Sequence, residues 1–338
     1  MTFVAARYPG AAHRETVDGI KVERLGGIHS LWLTTFVRYM SKQRGRYDVV
    51  VAEGFGGSRI PRLAPLYVKE PIITEWHQIH RDLFAEQYPR LLNGPLNLLE
   101  RFTARVHRNT LVRAGTEDWR AAFPKLGFRP DNIFVVPVSI RDDWLSEQNG
   151  SPATDPTILW LGKLRRYKCP HHVVQALPAI RKAVPNARLV IAGRRDDRAY
   201  ERELREMVAR LGLEDAVDFK FDLTEAEKRG VILSSRILVL PSAVEGFGIV
   251  VLEANAYGLP VVASSGVPEG AVTDRLNGLR YQFGDIPAIA GNVVRLLTDA
   301  DLYRGLSERS REHARNYAWS RVGPQFEQVV LRSARQPR

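Results

Sequence analysis

One cysteine, Cys169, occurs among 338 residues, which excludes an internal disulfide and a cysteine-based zinc centre. Long apolar runs are missing too. The apolar stretches Ile133 to Val138 and Ile237 to Pro241 fall far short of the roughly 20 residues a helix needs to cross a bilayer. The opening MTFVAARYPGAAHRE has neither the basic head nor the apolar core of a secretory leader. No internal repeat, low-complexity tract or recognised nucleic-acid-binding motif is present, so nucleic acid is not an expected partner. These absences lead us to expect a folded protein of the reducing cytoplasm, touching a membrane only peripherally.

What is present is charge. Lys and Arg number 49 against 38 Asp and Glu, for a formal +11. Residues 1–140 hold 20 basic and 13 acidic side chains, so the excess is denser there. A surplus of this size suggests an anionic partner without identifying it.

Short β-branched runs alternate with helical periods, the pattern of a doubly wound parallel α/β sheet. Strands are predicted at 3–6, 21–24, 48–52, 71–75, 110–113 and 133–137, with helices at 31–42, 91–106 and 116–126. Residues 141–157, rich in Ser, Gly, Pro, Asp and Asn, read as a linker. A second α/β unit follows over 158–310, with strands predicted at 157–161, 188–192, 217–221, 237–240, 260–263 and 279–281. The segment 311–338 is helical and basic, broken near Tyr317 and Trp319, and is expected to cross back to the first domain. Two domains of this kind enclose a cleft at the carboxyl ends of their strands.

The stretch RILVLPSAVEGFGIVVLEANAYGLPVVAS, residues 236–264, is the most informative. A buried strand ends at Pro241, a loop with Gly246 and Gly248 follows, and an apolar helix begins. Free N–H groups at that helix start make an anion seat. Glu245 stands just before the seat and Glu253 eight residues further on, inside an otherwise apolar helix where a charge needs a purpose. A carboxylate beside an anion seat is useful if it meets a neutral, hydroxyl-rich part of the same ligand, as a nucleotide sugar offers. In ILWLGKLRRYKCPHHVVQAL a strand delivers Gly162, and Lys163, Arg165, Arg166 and Lys168 crowd the turn before a helix. Such like charges repel unless an anion or solvent relieves them. His171 and His172 are read as helix-start residues, and no metal is expected.

These segments, GKLRRYK, LVIAGR, VLPSAVEGFGIVVLEANAYGLPVVAS and NGL, resemble in order and spacing the retaining glycosyltransferases of family 4, which have the GT-B fold of two Rossmann-like domains facing a cleft. The likeness is densest over 133–300. It implies transfer of a hexosyl group from a nucleoside diphosphate sugar to an acceptor hydroxyl, with retention and without a metal or other cofactor. Lys163 and Lys168 would hold the diphosphate, although Lys163 stands where the family usually has Arg and lacks its bidentate fork. Glu245 would meet the sugar hydroxyls, the strand end at Gly162 and the backbone of Gly246, Phe247 and Gly248 would line the pocket, and Glu253 would take the ribose hydroxyls. In PIITEWHQIHRDLF, His77 matches a family histidine near the reacting centre; an ordinary loop histidine and a His77 and His80 metal pair are the alternatives, the loop histidine the larger rival. The family describes front-face attack, so no protein nucleophile is implied.

The resemblance fails at the start. The family's first strand and glycine-rich loop have no counterpart, and the first domain is expected to be incomplete and the chain poorly active alone. The segments VPVSIRDDW and VRAGTEDW also depart from the family pattern, leaving the acceptor (glycan, lipid-linked or small molecule) unassigned. A noncatalytic nucleotide-sugar-binding descendant is the alternative. Finally, LLNGPLNLLERFTARVHRNTLV carries an apolar side at Leu91, Leu92, Leu96, Leu99, Phe102 and Val106, with Arg101, Arg105 and Arg108 on another. A solvated core helix and a contact with anionic lipid are both open for it.

Overall fold

The computed structural model describes residues 1–55, 62–81, 83–84, 88–146 and 153–335. The first half opens with β1 (Thr2–Ala5), β2 (Arg14–Val17) and β3 (Ile20–Arg24), in the order β1-β3-β2. Strand β2 was not predicted. Its hairpin turns at Asp18 and Gly19, both at positive φ, and a two-residue Asp-Gly turn is a strong hairpin signal that the helical-period reading passed over. Helix α1 (Leu31–Arg38) follows and ends in a π-type turn, Tyr39–Gln43.

A second sheet comprises β4 (Val50–Glu53), β5 (Ile72–Glu75), β6 (Leu111–Ala114) and β7 (Ile133–Val135), all parallel and in that order. Helix α2 (Arg90–Val106) precedes β6, and α3 (Glu117–Ala122) follows it. Residues 1–140 thus form two sheets instead of one. Among the described residues β1 pairs only with β3 and β4 only with β5, and Phe3 and Val51 on these outer strands are exposed.

The 141–157 segment is not simply a linker. Residues Asp143–Ser146 form a helical turn, α4, and Trp144 is buried against Tyr257 of the second half, with Lys228 and Arg229 over its ring. The large apolar area of an indole makes its burial here favourable despite the polar residues around it in sequence. Residues 147–152 of the expected linker lie outside the described residues.

The second half is one six-stranded parallel sheet. Along the chain run β8 (Thr157–Lys163), α5 (Pro170–Ala183), β9 (Arg188–Arg194), α6 (Arg198–Arg210), β10 (Val217–Phe221), α7 (Glu225–Leu233), β11 (Ile237–Leu240), α8 (Ile249–Ala256), β12 (Val261–Ser264), β13 (Gly278–Tyr281) and α9 (Ile286–Thr298). Side chains alternate across the sheet. Ile158, Trp160, Ile237 and Val239 enter one core, and Leu159, Leu161, Leu238 and Leu240 the other. Both faces are covered, as a parallel sheet requires.

Helices α10 (Ala300–Asn316) and α11 (Trp319–Ala334) close the chain. The expected segment boundary at 311 falls inside α10, while the break expected near Tyr317 and Trp319 lies at Tyr317 and Ala318, where Ile140 and Ala318 form a bridge. Helix α11 packs on β5, and the Arg113 guanidinium lies over the Phe326 ring at 5.5 Å.

Candidate active site

The strand order β10-β9-β8-β11-β12-β13 reverses direction between β8 and β11. In an open α/β sheet that switch point opens a crevice at the strands' carboxyl ends. Two loops enter it here, one after β8 and one after β11.

The β8 loop starts at Gly162 and Lys163. Gly162 is pressed against β9: a Cβ on Gly193, which has φ +130°, would stand 1.9 Å from the Gly162 carbonyl oxygen. Position 193 therefore admits only glycine, and the two strand ends stay close. Of the four cations crowded here, Arg165, Arg166 and Lys168 have carboxylate partners. Arg165 donates from Nε to Asp196 at 3.0 Å, and Arg166 pairs with Glu203 at 2.5 Å. Carboxylates of the protein itself thus relieve charge that the sequence left to an anion or to solvent. Lys163 forms no ion pair among the described residues. Burial, then the neighbouring Arg194, pushes its ammonium below the usual lysine range, with Lys168 and Arg165 acting in the same direction.

The β11 loop is stitched to the first. The Ala243 N–H donates to the Tyr167 carbonyl at 2.8 Å, and the Glu245 N–H donates to the Gly266 carbonyl at 3.0 Å. The first bond ties the two loops and the second ties Glu245 to the turn after β12; Lys168 and Glu245 meet there, with Lys168 Nζ donating to Glu245 Oε1 at 2.5 Å and Ser242 Oγ donating to the same oxygen at 2.7 Å. Glu245 is buried. Gly248, at φ +90°, caps α8 at the crevice, so the first N–H groups of that helix face the loop that carries Glu245. Phe247 points elsewhere. Its side chain is buried against the Tyr317 ring, so only its backbone is available to a ligand.

Glu253 has a partner that sequence reasoning did not supply. Lys228 Nζ donates to Glu253 Oε1 at 2.8 Å, which answers why a charge stands in so apolar a helix.

The first half meets the glycine loop directly. Trp119 Nε1 donates to the Gly246 carbonyl at 2.6 Å. On the other side of Gly246, a Cβ would lie 3.2 Å from the His77 carbonyl oxygen and 3.3 Å from Gln78 Oε1. His77 is exposed beside this contact, just beyond β5. His80 is turned away from it. Its Nδ1 meets Glu100 Oε1 at 2.7 Å in a buried pair, so the alternative of a His77 and His80 metal pair is not supported. Trp119 and Gln78 were missed because their role depends on a partner more than a hundred residues away.

A cleft of about 410 Å³ lies nearby, lined by Thr116, Glu117 and Asp118 from the first half and Phe247, Glu269 and Tyr317 from the second. Neither Lys163, Lys168, Glu245, Glu253 nor His77 lines it, so it adjoins the candidate site without being it. Around the start of α5, potential ligand atoms of Cys169, His171 and His172 lie within 4.8 Å of one another. The His171 Nδ1 already meets the Tyr200 hydroxyl at 2.5 Å, which holds that ring as part of the helix packing.

Residues 142–313 match the family model described as "Glycosyl transferases group 1". A D-inositol 3-phosphate glycosyltransferase of Corynebacterium urealyticum is 32% identical over 182 residues, covering 52% of this chain and 43% of that protein. The chain thus spans less than half the length of that relative. A protein of the same name from an Arthrobacter species is 32% identical over 296 residues, covering 82% of this chain and 69% of the relative. Among solved structures, sucrose-phosphate synthase from Thermosynechococcus elongatus superposes with a TM-score of 0.81 at 19% identity, covering 98% of this chain and 88% of that one. Anabaena HepE in complex with UDP and glucose follows at 0.74 and 19%, covering 93% and 86%. At such identities the likeness concerns the fold, two Rossmann-like domains in the GT-B arrangement.

Proposed function

The chain belongs to the glycosyl transferases group 1 family, and from that premise we propose that it moves a hexosyl group from a nucleoside diphosphate sugar to an acceptor hydroxyl with retained configuration. The observation that carries this reading is the Lys168 and Glu245 pair at the β8/β11 switch point, beside Lys163 and the start of α8. An ammonium has three donors, and the bond to Glu245 leaves two for phosphate oxygens. Lys163, without an ion-pair partner among the described residues, is the second cation for the diphosphate. Its depressed affinity for a proton means that an arriving anion stabilises its charge.

Glu245, held by Lys168 and Ser242, accepts hydrogen bonds from the sugar hydroxyls. The strand end at Gly162 and the backbone of Gly246, Phe247 and Gly248 line the sugar and phosphate pocket. Glu253 takes the ribose hydroxyls, sharing its carboxylate with Lys228. His77, exposed beside Gly246, stands on the acceptor side. The bond from the anomeric carbon to the diphosphate oxygen breaks as the acceptor oxygen bonds to the same face, and the acceptor proton passes to the departing phosphate. Both lysines and the helix start stabilise the charge that builds there, with no resident metal or organic cofactor in this scheme.

A panel of nucleoside diphosphate hexoses, assayed for release of the nucleoside diphosphate with and without acceptors, tests the proposal. Release that is abolished by Glu245→Gln supports it. Tight binding of a nucleotide sugar without release would leave a noncatalytic binding protein as the better description.

A further inference from the structure

The outward face of α2 is used neither by the crevice nor by the contact between the two halves. The sequence pattern suggested one apolar side; the structure divides it into two. Leu96 and Leu99 pack inward on the first-half core, beside the buried Glu100, Thr103 and Ala104. Leu91, Leu98 and Phe102 point outward and are 86%, 70% and 51% exposed, and Leu92 on their flank is 46% exposed. With 3.6 residues per turn, Leu91, Pro95, Leu98 and Phe102 form one row spanning roughly 16 Å. Arg101 and Arg105 form the adjacent row, with Arg90 and Arg108 at its ends, and all four are exposed.

Among the described residues these arginines form no ion pair with a carboxylate. The arginine ion pairs described for residues 1–140 use Arg14, Arg24, Arg38, Arg62, Arg113 and Arg120 instead. We propose that this face of α2 seats the protein on an anionic lipid bilayer. Leu91, Leu98 and Phe102 enter the boundary between headgroups and acyl chains, and the arginines reach sideways to the headgroup phosphates. Charge complementarity selects lipid as the occupant. An apolar row bordered by cations, in the half of the chain that holds 20 basic against 13 acidic residues, fits a surface that is apolar within and uniformly negative at its edge.

The inference does not depend on the donor, and its test reads no transfer. The full chain is floated with vesicles of phosphatidylcholine, or of phosphatidylcholine mixed with phosphatidylglycerol, at low and high salt. Flotation with the anionic vesicles, weakened by salt and by loss of the anionic lipid, is the expected result. The double variant Leu91→Glu/Leu98→Glu should stay in the dense fraction. Arg101→Gln/Arg105→Gln should partition about thirtyfold less strongly, at about a factor of five per arginine. Unchanged melting temperatures establish that both variants fold. Failure of the wild-type chain to float with anionic vesicles, or equal flotation of the leucine variant, overturns the proposal. So does self-association that the variants abolish in the absence of flotation, which would make the face a protein contact.

Discussion

The indole N–H of Trp119 donates to the carbonyl oxygen of Gly246 at 2.6 Å, joining the first half of the chain to the loop after β11. Thr116 prepares this contact: its Oγ1 accepts from the Trp119 N–H and caps α3. The bond orients the loop that presents the candidate donor site, from an element that belongs to the opposite domain.

Trp119→Phe keeps most of the packing and removes the donor. A net hydrogen bond contributes about 1 kcal/mol, so transfer measured as kcat/KM should fall about fivefold, with little change in melting temperature. Undiminished kcat/KM would show that the loop is positioned without this bond.

Lys168 and Glu245 form a largely buried pair, and removing one partner strands the other. Lys168→Met or Glu245→Gln alone should cost about 3 kcal/mol in chemical denaturation, the low end of the buried-pair range because Lys168 keeps some contact with water. The double variant should regain much of that stability and remain inactive. Recovered transfer in the double variant would reduce the pair to a structural role.

Gly193→Ala and Gly291→Ala should act in opposite directions. At position 193 the new Cβ collides with the Gly162 backbone, and the φ of +130° is hostile to an L side chain, so severe loss of stability is expected. Gly291 lies inside α9 with nothing within 4 Å of a Cβ, and alanine there should add about 0.5–1 kcal/mol. Denaturant titration of the two variants measures both.

Acid should destabilise the protein before its carboxylates titrate. Burial holds His313 at about 4 and His171 at about 4, below the ordinary histidine value, and lowers His107 and His172 as well. The folded state therefore binds fewer protons than the unfolded state between about pH 4 and 6.5, and stability falls as pH drops through that window. His313 alone contributes a loss of about 2 kcal/mol between pH 7 and 5. In His313→Gln, stability followed over that range should decline less steeply; an unchanged slope would assign the acid sensitivity to other groups.

The β8 and β11 turns were legible because their signals are local. Glycines, a strand's apolar run, crowded lysines and the Glu245 to Glu253 spacing lie within short windows of sequence. What escaped depends on distant partners. Arg165 and Arg166 looked like unrelieved charge until Asp196 and Glu203 came alongside. Glu253 looked unpaired until α7 brought Lys228 to it. Trp144 sat in a polar stretch that gave no hint of its burial against Tyr257.

The sequence by itself determined the alternation of strands and helices, the glycine-rich loop before α8 and the charge excess of the first half, because each follows from residue type and spacing along the chain. Only the tertiary structure decided which charges are spent on partners, which side of α2 faces water, and that Trp119 and His77 flank Gly246 from the other half. Those outcomes are distances between residues far apart in sequence, set by how the sheets and helices of the two halves pack, and no local periodicity contains them.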